Sequence, residues 1–237
     1  MDKISKLKEE VYIANMELNR KDLVVYTFGN ASQIDRKLQV VAIKPSGIEY
    51  DNLTPEDIVL LDLTGSIIDS KLNPSSDTKT HLALYRKFPG IGGIVHTHSR
   101  YATAFAQAKL SIKCLGTTHA DYFYSDIPCT EVIDDKMLFK DYEEETGNLI
   151  ISKFEKENID YLSMKACLVA CHGPFSWGID AKEAVFTSVM LEEIANMNYK
   201  TQTLNPEIKS IKKTLPDKHY FRKHGSGAYY GQQKRYW

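Results

Sequence analysis

The sequence predicts a single α/β domain over residues 1–237, an α/β/α sandwich in which helices cover a central, mainly antiparallel sheet. Three observations carry that prediction. The stretch from Leu23 to Ser70 is built of short β-rich runs separated by turn residues, and helical periodicity flanks it on both sides. Two later apolar runs end in histidine and then turn. No internal repeat or low-complexity linker divides the chain, and 43% hydrophobic residues suffice for one sizeable core.

In chain order, Ile4, Leu7, Val11, Ala14 and Leu18 recur at helical spacing and place one apolar stripe on a helix over residues 3–19. The runs L-V-V-Y-T-F, V-V-A-I-K, I-V-L-L-D-L and S-I-I-D-S then read as antiparallel strands, broken at Gly29-Asn30, Pro45-Ser46-Gly47 and Thr64-Gly65. A helix follows from Asp77 through Lys87, then a buried strand ending in His96 and His98, then a helix from Ser99 to about Ala108 with Ser99 placed to cap it. Another helix begins near Thr146. The segment Asp180-Ala-Lys-Glu183 resembles a capping box, and the helix it opens gathers Ala181, Ala184, Val185, Ser188, Leu191 and Ala195 on one small-residue face.

The chemistry-bearing signal is G-G-I-V-His96-T-His98-S. Side chains alternate across a strand, so histidines at i and i+2 leave on one face and can hold one cation together. Downstream, L-V-A-Cys171-His172-G-P-F repeats the grammar of an apolar run, a histidine and a turn. Upstream, P-Ser75-Ser76-Asp77-T sets a carboxylate at a loop-to-helix junction, where it reads either as a helix cap or as a ligand. Three neutral imidazoles and a carboxylate form a nitrogen-rich site that suits Zn²⁺ and leaves a coordination position for substrate.

Thirty Lys+Arg against 31 Asp+Glu give a net charge of −1, which offers nothing to nucleic acid or to an anionic membrane. The N-terminus is charged and helical and no apolar run approaches the roughly 20 residues of a spanning helix, so the expectation is a soluble, cytoplasmic protein. Cys114, Cys129, Cys167 and Cys171 form no C-x-x-C pair and read as reduced thiols.

Taken together, Gly29-Asn30, Lys44-Pro-Ser46-Gly47, Pro-Ser75-Ser76-Asp77-Thr, His96-Thr-His98-Ser, Gly116-Thr-Thr-His-Ala-Asp121-Tyr-Phe, His172-Gly-Pro-Phe and the C-terminal Asp-Lys-His219-Tyr-Phe-Arg222-Lys-His-Gly-Ser-Gly-Ala-Tyr229-Tyr230-Gly run in the order of one family. The chain resembles the L-ribulose-5-phosphate 4-epimerase branch of the class II, zinc-dependent aldolase/epimerase superfamily, from about Leu23 to Gly231. The resemblance implies the class II aldolase-like fold, a Zn²⁺ cofactor, and His96, His98 and His172 as zinc ligands with Asp77 beside them. The epimerase branch carries Asp at this last position and the sugar-phosphate aldolases typically Glu. It further implies that Asn30, Lys44, Ser46, Gly47, Ser75 and Ser76 surround a substrate phosphate and that Asp121 and Tyr230 transfer protons. The expected assembly is a homotetramer with active sites at subunit interfaces, Asp121 standing with the metal and Tyr230 coming from the neighbour. His219 and Arg222 are candidate substrate contacts; the tail Gln232–Trp237 has no assigned role.

The reaction so implied interconverts L-ribulose 5-phosphate and D-xylulose 5-phosphate in pentose or arabinose catabolism, with a small sugar phosphate as the partner molecule. The hydrogen on carbon 4 is β to the ketone, so its removal yields no resonance-stabilised carbanion. Inversion must instead break and re-form the bond between carbons 3 and 4. A Lewis acid on the ketone and neighbouring hydroxyl stabilises the enediolate this releases. Inversion presents the carbon 4 oxygen in two directions, which calls for one acid/base group per epimer. An aldolase that releases the aldehyde would share almost every one of these residues.

Overall fold

A computed structural model of the chain describes residues 2–224 together with Ala228 and Tyr229. Its centre is one seven-stranded sheet whose named strands all pair antiparallel, in the order β4-β3-β2-β1-β5-β7-β6. The strands are β1 (Asn30–Asp35), β2 (Val40–Ile43), β3 (Val59–Asp62), β4 (Ile67–Asp69), β5 (Gly93–His96), β6 (Ala166–Val169) and β7 (Gly173–Gly178). The helices are α1 (Lys3–Arg20), α2 (Thr78–Lys87), α3 (Arg100–Ala108), α4 (Thr117–Ala120), α5 (Asp135–Leu138), α6 (Tyr142–Lys156), α7 (Ala181–Leu204) and α8 (Thr214–Phe221). No helix among the described residues is long and apolar enough to cross a membrane.

Alternation along the two central strands assigns the helices to faces. Ala31 of β1 and Val95 of β5 pack with Ala14 and Leu18 of α1 and with Ala181, Ala184 and Val185 of α7. Ile34 and Ile94, on the opposite face, join Leu82, Leu84 and Tyr85 of α2 and Ile150 and Phe154 of α6. The small-residue face expected of α7 is what lets this helix lie close on the sheet. Asn15, fully buried, fastens α1 to β1: it accepts from the Ala31 amide at 2.9 Å and donates to the Ala31 carbonyl at 3.1 Å. These are backbone groups beyond the end of β2, so the side chain completes the ladder where a strand would otherwise be missing.

Three expectations are corrected. Leu23–Phe28 is a loop, because Tyr26 (φ 53°) and Gly29 (φ 82°) take left-handed conformations that a strand cannot contain. The strand instead begins at Asn30, in N-A-S-Q-I-D, whose polar residues conceal it from a hydrophobicity reading yet lie almost wholly inside. The helix expected near Thr146 starts at Tyr142, where Asp141 caps it by accepting from Glu144 N. At α7, Asp180 caps as expected by accepting from Glu183 N at 2.7 Å, but the Glu183 carboxylate turns to Ile179 N and to Lys165.

The start of α7 lies against the start of β5. A Cβ on Gly93 would fall closer than 3.0 Å to the backbone of both Asp180 and Ala181. Gly93→Ala must therefore push α7 off the sheet, and it is expected to destabilise the fold by roughly 3 kcal/mol, the upper end for overpacking. A urea midpoint unchanged from wild type would show that α7 can retreat freely.

A three-histidine cluster beside a buried lysine

β5 ends at His96, and His98 follows two residues later without losing the shared direction: the two Nε2 atoms lie 3.1 Å apart. His172 occupies the tight turn between β6 and β7, where its amide bonds the Val169 carbonyl, and the following Gly173 leaves room for the His96 ring. One ligand atom from each of the three imidazoles lies within 4.8 Å of the others.

The rings are held from behind. His96 is 1% exposed; its Nδ1 lies 3.0 Å from the Pro174 carbonyl, to which only an Nδ1–H can donate, so Nε2 is left with a lone pair directed at the cluster. Its ring also stacks on Phe175 at 4.2 Å. His98 stacks on Phe28 from the 23–28 loop at 5.9 Å. His172 Nδ1 meets the Tyr142 hydroxyl at 3.3 Å. Burial, then the neighbouring His96, pushes His172 down to about 3 despite the opposing pull of Asp77, and the same two causes lower His98. Both are neutral at physiological pH and available as ligands. Three nitrogen donors, that of His96 fixed in tautomer by its outer hydrogen bond, fit a zinc ion, with His98 on the exposed side of the cluster.

Asp77 stands at the N-terminus of α2 but makes no side-chain cap there. Its Oδ2 instead accepts from Asn30 Nδ2 at 2.7 Å. Burial would raise the pKa of this carboxyl, but the neighbouring His96 and His81, the Asn30 hydrogen bond and His172 outweigh it and hold the group below the usual carboxylate value. The Asp77 carboxylate is ionised and electrically part of the cluster.

Asn30 also reaches Ser75 Oγ at 3.0 Å, and so connects the histidines to a second feature. An isolated bridge between Pro45 and Pro74, with Ser46 N bonded to Asn73 O at 2.9 Å and Ser75 N to Lys44 O at 3.0 Å, zips the Lys44–Gly47 loop to the 73–77 loop. Ser46, Gly47 and Ser76 lie exposed at its edge, Gly47 with φ 71° and open space on its Cβ side. Lys44 is 1% exposed; its Nζ donates to Ile48 O at 2.7 Å and lies 4.8 Å over the Tyr50 ring. Burial pushes it down to about 8. No carboxylate among the described residues pairs with it. The two loops thus bring together the hydroxyls of Ser46, Ser75 and Ser76 and one ammonium without a carboxylate partner, groups of the kind that hold a small anion.

Asp121 is not brought to the histidines. It ends α4, and its carboxylate is gripped by α8 and the residues after it: Arg222 Nη2 at 2.8 Å and Nε at 3.1 Å, His219 Nδ1 at 3.1 Å and Lys223 Nζ at 3.3 Å. Burial opposes ionisation, but Arg222, His219 and Lys223 together lower its pKa. Tyr230 and the tail Gln232–Trp237 lie outside the described residues. Tyr142, Phe175 and Phe28 escape a sequence reading because each reaches its histidine through the fold; the one local hint is Phe175, at the end of His172-Gly-Pro-Phe.

Residues 9–199 match the family model described as Class II Aldolase and Adducin N-terminal domain. Among solved structures, an L-fuculose 1-phosphate aldolase superposes with a TM-score of 0.75 at 22% identity, over 90% of this chain and 94% of that one. YgbL from Klebsiella pneumoniae, whose chemistry is given only as aldolase/epimerase/decarboxylase, gives 0.70 at 23%, over 92% and 99%. The L-fuculose-1-phosphate aldolase of Thermus thermophilus gives 0.67 at 21%, over 86% and 100%. At these identities the superpositions speak for the fold.

Proposed function

We propose, from the premise that the chain belongs to the class II aldolase and adducin N-terminal domain family, that it is a zinc-dependent L-ribulose-5-phosphate 4-epimerase. The observation that carries this reading is the connection through Asn30, which ties a three-imidazole cluster on one side to an anion cradle with a buried, uncompensated ammonium on the other. A ketose carrying a phosphate at its far end needs both in one cleft. Asp77, where a glutamate would mark an aldolase, selects the epimerase.

His96, His98 and His172 would hold the zinc, with Asp77 as a further ligand or as an anion beside it. When bound, the ion supplies a Lewis acid for the ketone end of the sugar. Asn30, Lys44, Ser46, Gly47, Ser75 and Ser76 bind the phosphate and keep that end of the substrate in place while the bond between carbons 3 and 4 is broken. The held fragment can then turn its carbonyl face before the bond re-forms. Asp121 and Tyr230 take and return the proton of the carbon 4 hydroxyl, one for each epimer. The protein acts as an oligomer, a homotetramer in this reading, because the triad and Asp121 belong to separate clusters within the chain.

Purified, zinc-loaded protein given L-ribulose 5-phosphate should yield D-xylulose 5-phosphate with no free dihydroxyacetone. Net release of dihydroxyacetone would instead establish the aldolase reading. In the same assay Asp77→Glu should release more dihydroxyacetone than wild type, because a longer carboxylate reaches further toward the carbon that must be reprotonated for cleavage to become net. Normal epimerisation without added release would show that this position does not separate the two outcomes.

Lys44 predicts a pH dependence. With its pKa lowered to about 8, the free ammonium is lost as pH rises through that value. At pH 9 only about a tenth remains charged, so affinity for inorganic phosphate should fall about tenfold between pH 7 and pH 9. Lys44→Met should bind phosphate weakly and with a flat profile over that range. A wild-type profile that is equally flat would remove Lys44 from phosphate binding.

A further inference from the structure

α3 begins two residues after His98, and its first turn is not held in the way the sequence suggests. The first amides of a helix have no partner within it, and the residue before the helix usually accepts from the second or third of them through its side chain. Ser99 stands at that position and makes no such bond. The acceptor is Glu192, half-buried on α7: its Oε1 accepts from Tyr101 N at 2.8 Å and its Oε2 from Ala102 N at 2.9 Å. A carboxylate set on two amides at the positive end of a helix makes charge-assisted bonds, stronger than those of a hydroxyl. Arg100, beside this turn in the chain, pairs instead with Asp22.

A cap supplied by another element also fixes where the helix starts relative to that element. α7 is itself fastened to the sheet: Ala181 N donates to Gln33 Oε1 of β1 at 2.7 Å, and Ser176 Oγ of β7 donates to Ala184 O at 3.2 Å. The link from β5 to α3 is therefore held at both ends, by the ladder that sets His96 opposite Phe175 and by Glu192 at Tyr101 and Ala102. Between these points Thr97 and Ser99 are enclosed, at 0% and 3% exposure, and His98 alone turns outward. The other two imidazoles have a polar group behind the ring, the Pro174 carbonyl at His96 Nδ1 and the Tyr142 hydroxyl at His172 Nδ1. His98 Nδ1 has no hydrogen-bond partner among the described residues, and its ring is steadied only by aromatic neighbours. What aims this side chain is its backbone.

We propose that Glu192 is a positioning residue for the metal centre: by capping α3 from α7 it fixes the turn that presents His98 to the other two histidines. The role toward the metal rests on the zinc-dependent reading of the site; the cap does not.

The zinc dissociation constant, from competition with a chelator, should rise about tenfold to a hundredfold in Glu192→Ala, the range for losing the outer support of a ligand. Asp2→Ala is the comparison. Asp2 caps α1 by accepting from Ser5 N at 2.8 Å, so its loss should also lower the urea midpoint, yet leave the zinc constant within about twofold of wild type. Glu192→Gln keeps an oxygen for one of the two amides and should fall between wild type and Glu192→Ala. If Glu192→Ala unfolds more easily but binds zinc as tightly as wild type, the cap is purely structural and the proposal is overturned while the metal site stands. An equal weakening of zinc binding in Asp2→Ala overturns it as well. Wild-type protein that binds no zinc overturns the metal reading and the positioning role with it. Should Glu192→Ala fail to fold, Glu192→Gln decides, and a zinc constant unchanged from wild type there overturns the proposal.

Discussion

A chain carrying both His96→Ala and His98→Ala is expected to purify without zinc and to lose turnover by about a thousandfold or more. Two of three nitrogen donors are gone, and the remaining imidazole cannot hold a divalent ion against water. A Lewis acid contributes several kcal/mol of charge stabilisation, which sets the lower bound on the loss. His96 is buried against Pro174 and Phe175, so part of the effect of that change will be on stability. His98→Ala alone separates the two: this side chain is exposed, its removal should leave the unfolding free energy from urea titration within about 0.5 kcal/mol of wild type, and zinc should still be lost. Elemental analysis that finds one zinc per chain in the double variant would dispose of the histidine cluster as the metal site.

Asp121→Asn is expected to be nearly inactive with zinc fully bound, and the way it is rescued should reveal how a site is composed. Asp121 is bonded to Arg222, and Tyr229 N bonds the Arg222 carbonyl at 2.9 Å, so Asp121 forms one unit with its own C-terminal segment. This differs from the division expected from the sequence, in which Asp121 stands with the metal and Tyr230, in its Gly-flanked C-terminal segment, comes from the neighbour. If the unit serves the triad of a neighbouring subunit in a ring, mixing the double-histidine variant with Asp121→Asn in equal amounts restores about a quarter of the sites. Each restored site pairs a normal triad with a normal Asp121 next door. A mixture of Asp121→Asn with Tyr230→Phe tells whether the two residues reach a site from one chain or from two: no recovery in the first case, about a quarter of the sites in the second. Verified subunit exchange with no recovery in the first mixture would place Asp121 in its own chain's site or outside catalysis.

The histidines were legible because a cluster built on a strand end leaves a local trace: the i, i+2 spacing survives even though β5 stops at His96 and His98 lies beyond it. The carboxylate at Asp77 and the Lys-Pro-Ser-Gly loop left similar local traces. β1 did not. Its side chains Asn30, Ser32 and Gln33 are polar and buried because they serve the site and dock the helices, so the strand lacks the apolar alternation by which strands are recognised. The apolar run at Leu23–Phe28 misled in the opposite sense, since two left-handed residues make it a loop and its Phe28 serves as a platform for His98. The partners of Asp121 sit about a hundred positions away on α8 and just after it, a distance at which sequence alone cannot pair a carboxylate with one basic residue among many.

The order of strands in the sheet has a kinetic consequence. β1 to β4 are neighbours both along the chain and across the sheet, so they can pair through short loops, whereas β5 must cross back to β1 and β7 must then return to β5. Closing long loops is entropically slow, so these distant pairings form late. Two histidines leave from the end of β5 and the third precedes β7, in the register that sets His96 opposite Phe175. The donors thus converge only when the last long-range ladder has closed. A bound ion under these conditions stabilises the finished state without speeding its formation, and its whole effect falls on the rate of escape. An ion held by the three histidines would act on how long a folded subunit survives rather than on how quickly one is made.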